Sequence, residues 1–121
     1  MNRIEKHSDL LVWQHGRVLV KDIYEMSAKF PKTEHFGLTN QMRRAVISIP
    51  SNIAEGFGRH STKEFIQFLN ISRGSLAELQ TQLLLSLDLK YIDNTTYEKL
   101  DSQIVEIYKM LNGLIKKLYE K

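Results

Sequence analysis

The sequence predicts an all-α fold, an antiparallel up-down-up-down four-helix bundle. Apolar residues recur at steps of three and four along four segments, which is the spacing of one face of an α-helix. No stretch alternates apolar and polar residues for long enough to indicate a β-strand. The chain of 121 residues is 42% hydrophobic and 26% charged. This composition suits a single domain over residues 1–121 with one hydrophobic core.

The first helix is predicted over about residues 10–29. Pro31 ends it, because the residue before a proline is pushed out of the α-helical region. The predicted core face consists of Val12, Gly16, Leu19, Ile23, Met26 and Phe30.

The second helix is predicted over about residues 38–56. The sequence Gly56-Phe57-Gly58 is expected to end it, because glycine adopts the left-handed cap conformation. Pro50 lies inside the helix and removes one amide donor, so we expect a bend there. The freed carbonyl near Val46 is expected to bond water or the hydroxyl of Ser48 or Ser51. The predicted core face consists of Leu38, Met42, Ala45, Ile49, Ile53 and Phe57.

The third helix is predicted over about residues 62–89. Ser61 and Glu64 have the spacing of a capping box at its start. Gly74 lies in mid-helix at a cost of about 1 kcal/mol relative to alanine, so we expect another backbone to approach it closely. The predicted core face consists of Phe65, Phe68, Leu69, Ser72, Leu76, Leu79, Leu83 and Leu87.

The fourth helix is predicted over about residues 95–119. Thr95 and Glu98 offer a second capping box. The apolar residues of this helix repeat at the a and d positions of a heptad, which is typical of a bundle seam. They are Leu100, Ile104, Ile107, Leu111, Leu114 and Leu118.

Helices two and three contain more apolar residues than one core face accommodates. Ile47 and Ala54 project away from the core face of helix two, and Ile71 and Leu85 point away from that of helix three. Four helices alone do not offer that much interior, so we predict that these residues form the interface of a homo-oligomer. The alternative is that they are scattered surface residues, which are normal in globular proteins.

The net charge of +3 is concentrated in the middle of the chain. The stretch from Gly37 to Ala77 contains five basic and two acidic residues, whereas the rest of the chain contains equal numbers of each. The five are predicted to form a basic surface that binds nucleic acid, with an ordinary solvated surface as the alternative. They are Arg43, Arg44, Arg59, Lys63 and Arg73. Because Phe57 is the nearest aromatic residue, contacts to the phosphate backbone are expected rather than base stacking.

No catalytic, metal or cofactor site is predicted. The four histidines lack metal-ligand spacing and the chain has no cysteine. Ser48, Ser51 and His60 lack the sequence context of a nucleophile with an oriented base. Glu55, with Arg59 close in sequence, is expected to form a structural salt bridge, with a functional role as the alternative. Neither a signal peptide nor a membrane segment is predicted, so a cytoplasmic protein is expected.

The stretch Phe36–Arg59, FGLTNQMRRAVISIPSNIAEGFGR, resembles the signature of bacterial proteins first named for open reading frames in 23S rRNA intervening sequences. The resemblance to this S23-like family continues through STKEFIQFLNISRGSLAELQTQL, and Leu11–Gln14 and Ile23-Tyr24 also fit. It implies a four-helix bundle protomer assembled as a ring-shaped homopentamer. The family name records the location of a gene and specifies no activity.

The chain is also similar to the accessory variability proteins of diversity-generating retroelements. That likeness implies a basic pentameric barrel that binds a reverse transcriptase and nucleic acid, although this chain is less basic than such proteins. We therefore predict a non-enzymatic homo-oligomer that binds nucleic acid, with RNA as the favoured ligand. The alternative is a structural or protein-interaction scaffold without nucleic-acid binding.

Overall fold

The computed structural model describes residues 3–120, and every element in that range is helical. The four long helices are α1 (Leu11–Ser27), α2 (Leu38–Gly58), α3 (Thr62–Asp88) and α4 (Asn94–Tyr119). Short 3-10 turns, His7–Asp9 and Lys32–Glu34, precede α1 and α2. The predicted all-α class with four helices is therefore confirmed, and each predicted helix end lies within about two residues of the observed one.

Each helix packs on the next one along the chain, and α4 closes the bundle against α1. The fully buried side chains come from all four helices and form one hydrophobic cluster. Seven predicted core residues are only partly buried, namely Met26, Leu38, Phe57, Phe65, Phe68, Leu87 and Leu114. Three hydrophobic residues outside the predicted rows, Val46, Ile66 and Ile115, are buried. The core faces of α2, α3 and α4 are therefore wider than a single row at steps of three and four.

Helices α2 and α3 approach each other closely at Gly56. A Cβ atom added to Gly56 would lie 2.6 Å from Cβ of Phe68 and 3.3 Å from the carbonyl oxygen of Phe65. The prediction of a close backbone approach at Gly74 is wrong, because Gly74 is exposed and an added Cβ would meet no atom within 4 Å. An exposed glycine and a close-packed glycine have the same signature in a helical sequence pattern.

The helix ends follow the predictions only in part. Ser61 is the N-cap residue of α3 as predicted, and its Oγ accepts a bond from the Glu64 backbone amide at 3.3 Å. The predicted glycine cap of α2 is wrong, because the left-handed residue after the helix is His60, with φ of 54°. The predicted capping box at Thr95 is also wrong. The N-cap residue of α4 is Asp93, and its carboxylate accepts a bond from the Thr96 backbone amide at 2.8 Å.

Pro50 lies inside α2, which is helical on both sides of it. The hydroxyl of Ser48 bonds the hydroxyl of Ser75 and accepts a bond from the side-chain amide of Asn52, both at 2.8 Å. Of the predicted partners of the Val46 carbonyl, Ser48 is therefore engaged elsewhere. The hydroxyl of Ser72 donates to the Ile49 carbonyl at 2.9 Å, so α3 stabilises the backbone next to the proline. The bend at Pro50 stays a prediction.

None of the helices formed by residues 3–120 combines the length and the apolar character that a membrane crossing requires.

Candidate nucleic-acid interface

The five predicted basic residues lie at three separate places on the bundle. Arg43 and Arg44 are in the first half of α2, Arg59 and Lys63 flank the turn between α2 and α3, and Arg73 is in the middle of α3. Arg44, Arg59 and Lys63 are exposed, whereas Arg43 and Arg73 are half-buried. The five side chains therefore do not form one continuous patch on a single protomer.

Arg43 joins α2 to α1. Its Nε donates to Oγ of Ser27 at 3.0 Å, and its Nη2 donates to the carbonyl oxygen of Tyr24 at 3.2 Å. The guanidinium carbon lies 4.4 Å from the centre of the Tyr24 ring, which adds a cation–π contact. These bonds use two of the five N–H groups of the guanidinium and fix its position.

Arg73 makes an equivalent connection between α3 and α4. Its Nη1 donates to Oδ1 of Asn112 at 2.8 Å, and its Nη2 donates to Oδ1 of Asn70 at 2.6 Å. The partners are neutral amides, so the positive charge of Arg73 is not cancelled by them. Arg43 and Arg73 thus have packing roles that the sequence pattern did not predict.

Arg59 lies between two carboxylates at the turn from α2 to α3. Its Nε is 4.0 Å from Oε2 of Glu55, which confirms the predicted ion pair, and its Nη1 is 3.9 Å from Oε1 of Glu64. Its guanidinium carbon is 5.2 Å from the centre of the Phe68 ring. Exposed pairs of this length contribute about 0–1 kcal/mol, so they stabilise the turn only slightly. They do reduce the positive potential around Arg59.

A second basic surface, absent from the sequence-based prediction, lies at the connection between α1 and α2. A groove of about 490 Å³ opens beside Phe36, and we call it the Phe36 groove. Lys32, His35 and Arg43 line it, and among the described residues no carboxylate does. Phe36 is 89% exposed, and its ring meets that of His35 edge to face with centres 4.7 Å apart.

Glu34 holds this connection in place. Its Oε2 accepts a bond from the Tyr91 hydroxyl at 2.7 Å, and its Oε1 accepts one from the Leu38 amide at 3.2 Å. The Tyr91 ring also packs on Phe30, with ring centres 5.1 Å apart. The bonds from Tyr91 and then Leu38 lower the pKa of Glu34, and the same carboxylate, followed by burial, raises the pKa of Tyr91.

The signal that would have revealed the Phe36 groove is present in the sequence. His35 and Phe36 form an aromatic pair in a connecting segment, with Lys29 and Lys32 a few residues earlier. All four lie before Gly37, outside the stretch in which the net positive charge is counted. A count of charge along the chain therefore missed this surface, because folding brings Lys32 and His35, which precede Gly37, next to Arg43, which follows it.

The predicted oligomer interface residues lie outside the core of the protomer. Ile47, Ile71 and Leu85 are 42%, 50% and 45% exposed, and Ala54 is half-buried. Leu84, which was not predicted, is 46% exposed beside Leu85. Whether another subunit covers these residues is a prediction that the protomer does not test.

The histidines and serines form no arrangement that chemistry requires. Within residues 3–120 no three His, Asp or Glu side chains converge as metal ligands do. The Ser48 hydroxyl bonds Ser75 and Asn52. His60 occupies the left-handed position after α2.

These features define a four-helix bundle with exposed cations and exposed apolar residues on its helices. The chain belongs to the family described as 23S rRNA-intervening sequence protein, whose model matches residues 8–113. It is also similar to a solved structure from Bacteroides thetaiotaomicron, a protein of unknown function from the S23 ribosomal protein family. That similarity has 27% sequence identity and a TM-score of 0.81, covering 88% of this chain and 96% of the other. No curated protein matches the chain significantly.

Proposed function

We propose that this protein is a non-enzymatic homo-oligomer that binds RNA through cations repeated around the assembly. The observation that most supports the proposal is the exposure of Arg44, Arg59 and Lys63 along α2 and its turn into α3. Arginine suits this role because its planar fork contacts two phosphate oxygens at once. One protomer offers few such contacts, and an assembly multiplies them.

Self-association is supported by the apolar residues on the outer faces of α2 and α3. Fully burying an exposed Ile or Leu side chain contributes about 1.5–3 kcal/mol. Ile47, Ile71 and Leu85 are 42%, 50% and 45% exposed, so covering each of them would contribute about half of that. The family resemblance favours a ring of five subunits. The positions of Arg43 and Arg73 leave some of their N–H groups available for phosphate contacts beyond their packing role.

The alternative function is a scaffold for structural or protein interactions without nucleic acid. The pairing of Arg59 with Glu55 and Glu64 favours this alternative, because it partly neutralises the α2–α3 turn. A reverse transcriptase would be the protein partner if the likeness to accessory variability proteins extends to function.

The RNA-binding proposal is tested by titrating a labelled single-stranded RNA with the full chain at several salt concentrations. With about five phosphate contacts, the slope of log affinity against log salt is expected near −3.5. An Arg44→Glu/Arg59→Glu variant should bind much more weakly than wild type. A Lys109→Glu/Lys116→Glu variant on α4 changes the charge equally and should bind better than the first variant. Equal binding by wild type and the arginine variant, or no binding at low salt, would favour the scaffold.

The assembly proposal is tested by light scattering. Wild type should form particles several times the 14.1 kDa chain. Ile47→Asp should dissociate them while circular dichroism keeps its helical signal, because the substitution charges an exposed position and leaves the core intact. Val105→Asp, at an exposed position on α4, is the matched control and should leave the assembly intact. A monomeric wild type at micromolar concentration contradicts the proposal.

A further inference from the structure

Phe36 is the most exposed of the large hydrophobic residues in the described part of the chain, at 89%. It lies on a segment that is held at several points. Glu34, two residues earlier, is bonded by Tyr91 and by the Leu38 amide. The exposed ring is therefore presented by a fixed connection between α1 and α2, and it meets the His35 ring in a T-shaped contact.

The charges around Phe36 favour an anionic ligand. The Phe36 groove is lined by Lys32, His35 and Arg43, and within residues 3–120 no acidic side chain contributes to its lining. Its volume of about 490 Å³ is within the range of small-ligand sites, roughly 300–1,000 Å³. The hydroxyl-bearing residues Ser27 and Thr39 also line it.

Arg43 is already positioned for a phosphate. Its bonds to Ser27 and Tyr24, together with the stacked Tyr24 ring, fix the guanidinium at the edge of the groove before any ligand binds. Three N–H groups beyond those two bonds are sufficient for a bidentate phosphate contact. A fixed donor loses less conformational entropy on binding than a mobile lysine does.

We propose that the Phe36 groove binds one nucleotide of a single-stranded nucleic acid, with the base stacked on Phe36 and a phosphate on Arg43 and Lys32. The inference rests on the proposed RNA-binding function and extends it from backbone contacts to a base-stacking site. An aromatic face next to a cationic groove is how proteins bind single strands with little sequence preference. Duplex RNA has no unstacked base to offer and should not use this site.

The test measures binding of a fluorescein-labelled oligouridylate to the full chain at several salt concentrations. Phe36→Ala should weaken binding at least about fivefold, which is typical for the loss of one stacked base. The salt slope should not change, because the phosphate contacts remain. Phe36→Tyr should bind like wild type. Phe36→Leu should be as weak as Phe36→Ala, because leucine is apolar but offers no flat face.

Leu89→Ala removes another exposed apolar side chain near the same end of the bundle and should leave the affinity unchanged. If wild type and Phe36→Ala bind equally well with the same salt dependence, the stacking site is refuted and RNA binding stands. If Phe36→Leu binds like wild type, Phe36 is an apolar anchor for another kind of partner and the proposal fails. If wild type does not bind at low salt, the RNA-binding function and the stacking site both fail.

Discussion

The two ends of the bundle differ in whether their cations are paired with carboxylates. At the α2–α3 turn Arg59 is held between two carboxylates, at 4.0 Å from Glu55 and 3.9 Å from Glu64. At the opposite end, the Phe36 groove is lined by cations and a histidine without a carboxylate among the described residues. The α2–α3 turn pairs part of its charge within the protein. In the Phe36 groove no carboxylate among the described residues neutralises the cations.

The ends also differ in what they bury. Near the α2–α3 turn, Gly56 has no side chain, so α2 and α3 pack closely there, with Phe65 and Phe68 next to the glycine. At the Phe36 groove an aromatic ring remains almost fully exposed on a well-held segment. The close packing at Gly56 therefore has a structural role, whereas the exposed aromatic ring beside cations is the feature from which we propose a base-stacking surface.

Gly56→Ala should destabilise the protein by about 1–3 kcal/mol, because the new methyl group would lie 2.6 Å from Cβ of Phe68. Gly74→Ala is the matched control, since nothing lies within 4 Å of the added methyl group. It should stabilise the protein by about 0.5–1 kcal/mol. Chemical denaturation measures both changes. Equal effects of the two substitutions would show that α2 and α3 do not approach closely at Gly56.

Arg43→Lys should destabilise the protein by about 1–2 kcal/mol, because lysine cannot reproduce the two bonds to Ser27 and Tyr24 together with stacking on the ring. The neighbouring Arg44→Lys substitution should change stability by less than about 0.5 kcal/mol, because Arg44 is exposed. Thermal unfolding of the two variants compares them directly. A destabilised Arg44→Lys with an unchanged Arg43→Lys would reverse the roles assigned here.

Stability should depend on the ionisation of Glu34. Its pKa is lowered from 4.5 in the folded protein, first by the Tyr91 hydroxyl and then by the Leu38 amide. The ionised carboxylate therefore stabilises the fold above that value, and this contribution is lost as the pH falls through the folded pKa. Wild type should exceed Glu34→Gln in melting temperature near neutral pH, and the gap should close in acid. A gap that is constant with pH would contradict this.

The contribution of Tyr91 to stability should be lost as the pH rises, whereas that of Glu34 is lost as the pH falls. Its pKa is raised from 10.0, first by its bond to Glu34 and then by burial, so its contribution is complete below that value and lost as the pH rises further. Tyr91→Phe should therefore have a lower melting temperature than wild type near neutral pH. The two melting temperatures should converge in alkali. Melting curves above and below this value check the trend, and convergence in acid alone would argue against it.

Arg59→Gln should have the smallest effect, a loss of less than about 1 kcal/mol, because its ion pairs are long and exposed. A loss above about 2 kcal/mol would show that the α2–α3 turn depends on these pairs. Chemical denaturation at low and high salt separates the ionic part from the contact with Phe68.

Sequence periodicity predicted the number and extent of the helices well, because burial of one face imposes the spacing of three and four. It failed where local chemistry decides. Asp93 and Thr95 are both good cap residues, and only the backbone geometry selects Asp93. Gly56 and Gly74 differ only in what lies opposite them in space.

The candidate site was less predictable because it depends on pairing between distant residues. Arg43 looked like a surface cation in sequence, yet its partner Ser27 is sixteen residues earlier. For Arg59 the sequence suggested only the pair with Glu55, yet Glu64 on α3 is also within 3.9 Å. Charge along the chain did not distinguish cations used for packing from those left exposed.

The most direct test of which end binds nucleic acid is ultraviolet crosslinking of single-stranded RNA to the full chain, followed by trypsin digestion and mass spectrometry. Trypsin cuts after Lys32 and Arg43 and releases residues 33–43, which contain His35 and Phe36. We expect adducts on this peptide, and their loss in Phe36→Leu. Adducts confined to residues 60–63 at the α2–α3 turn, with none on residues 33–43, would contradict the assignment of the Phe36 groove as the binding surface.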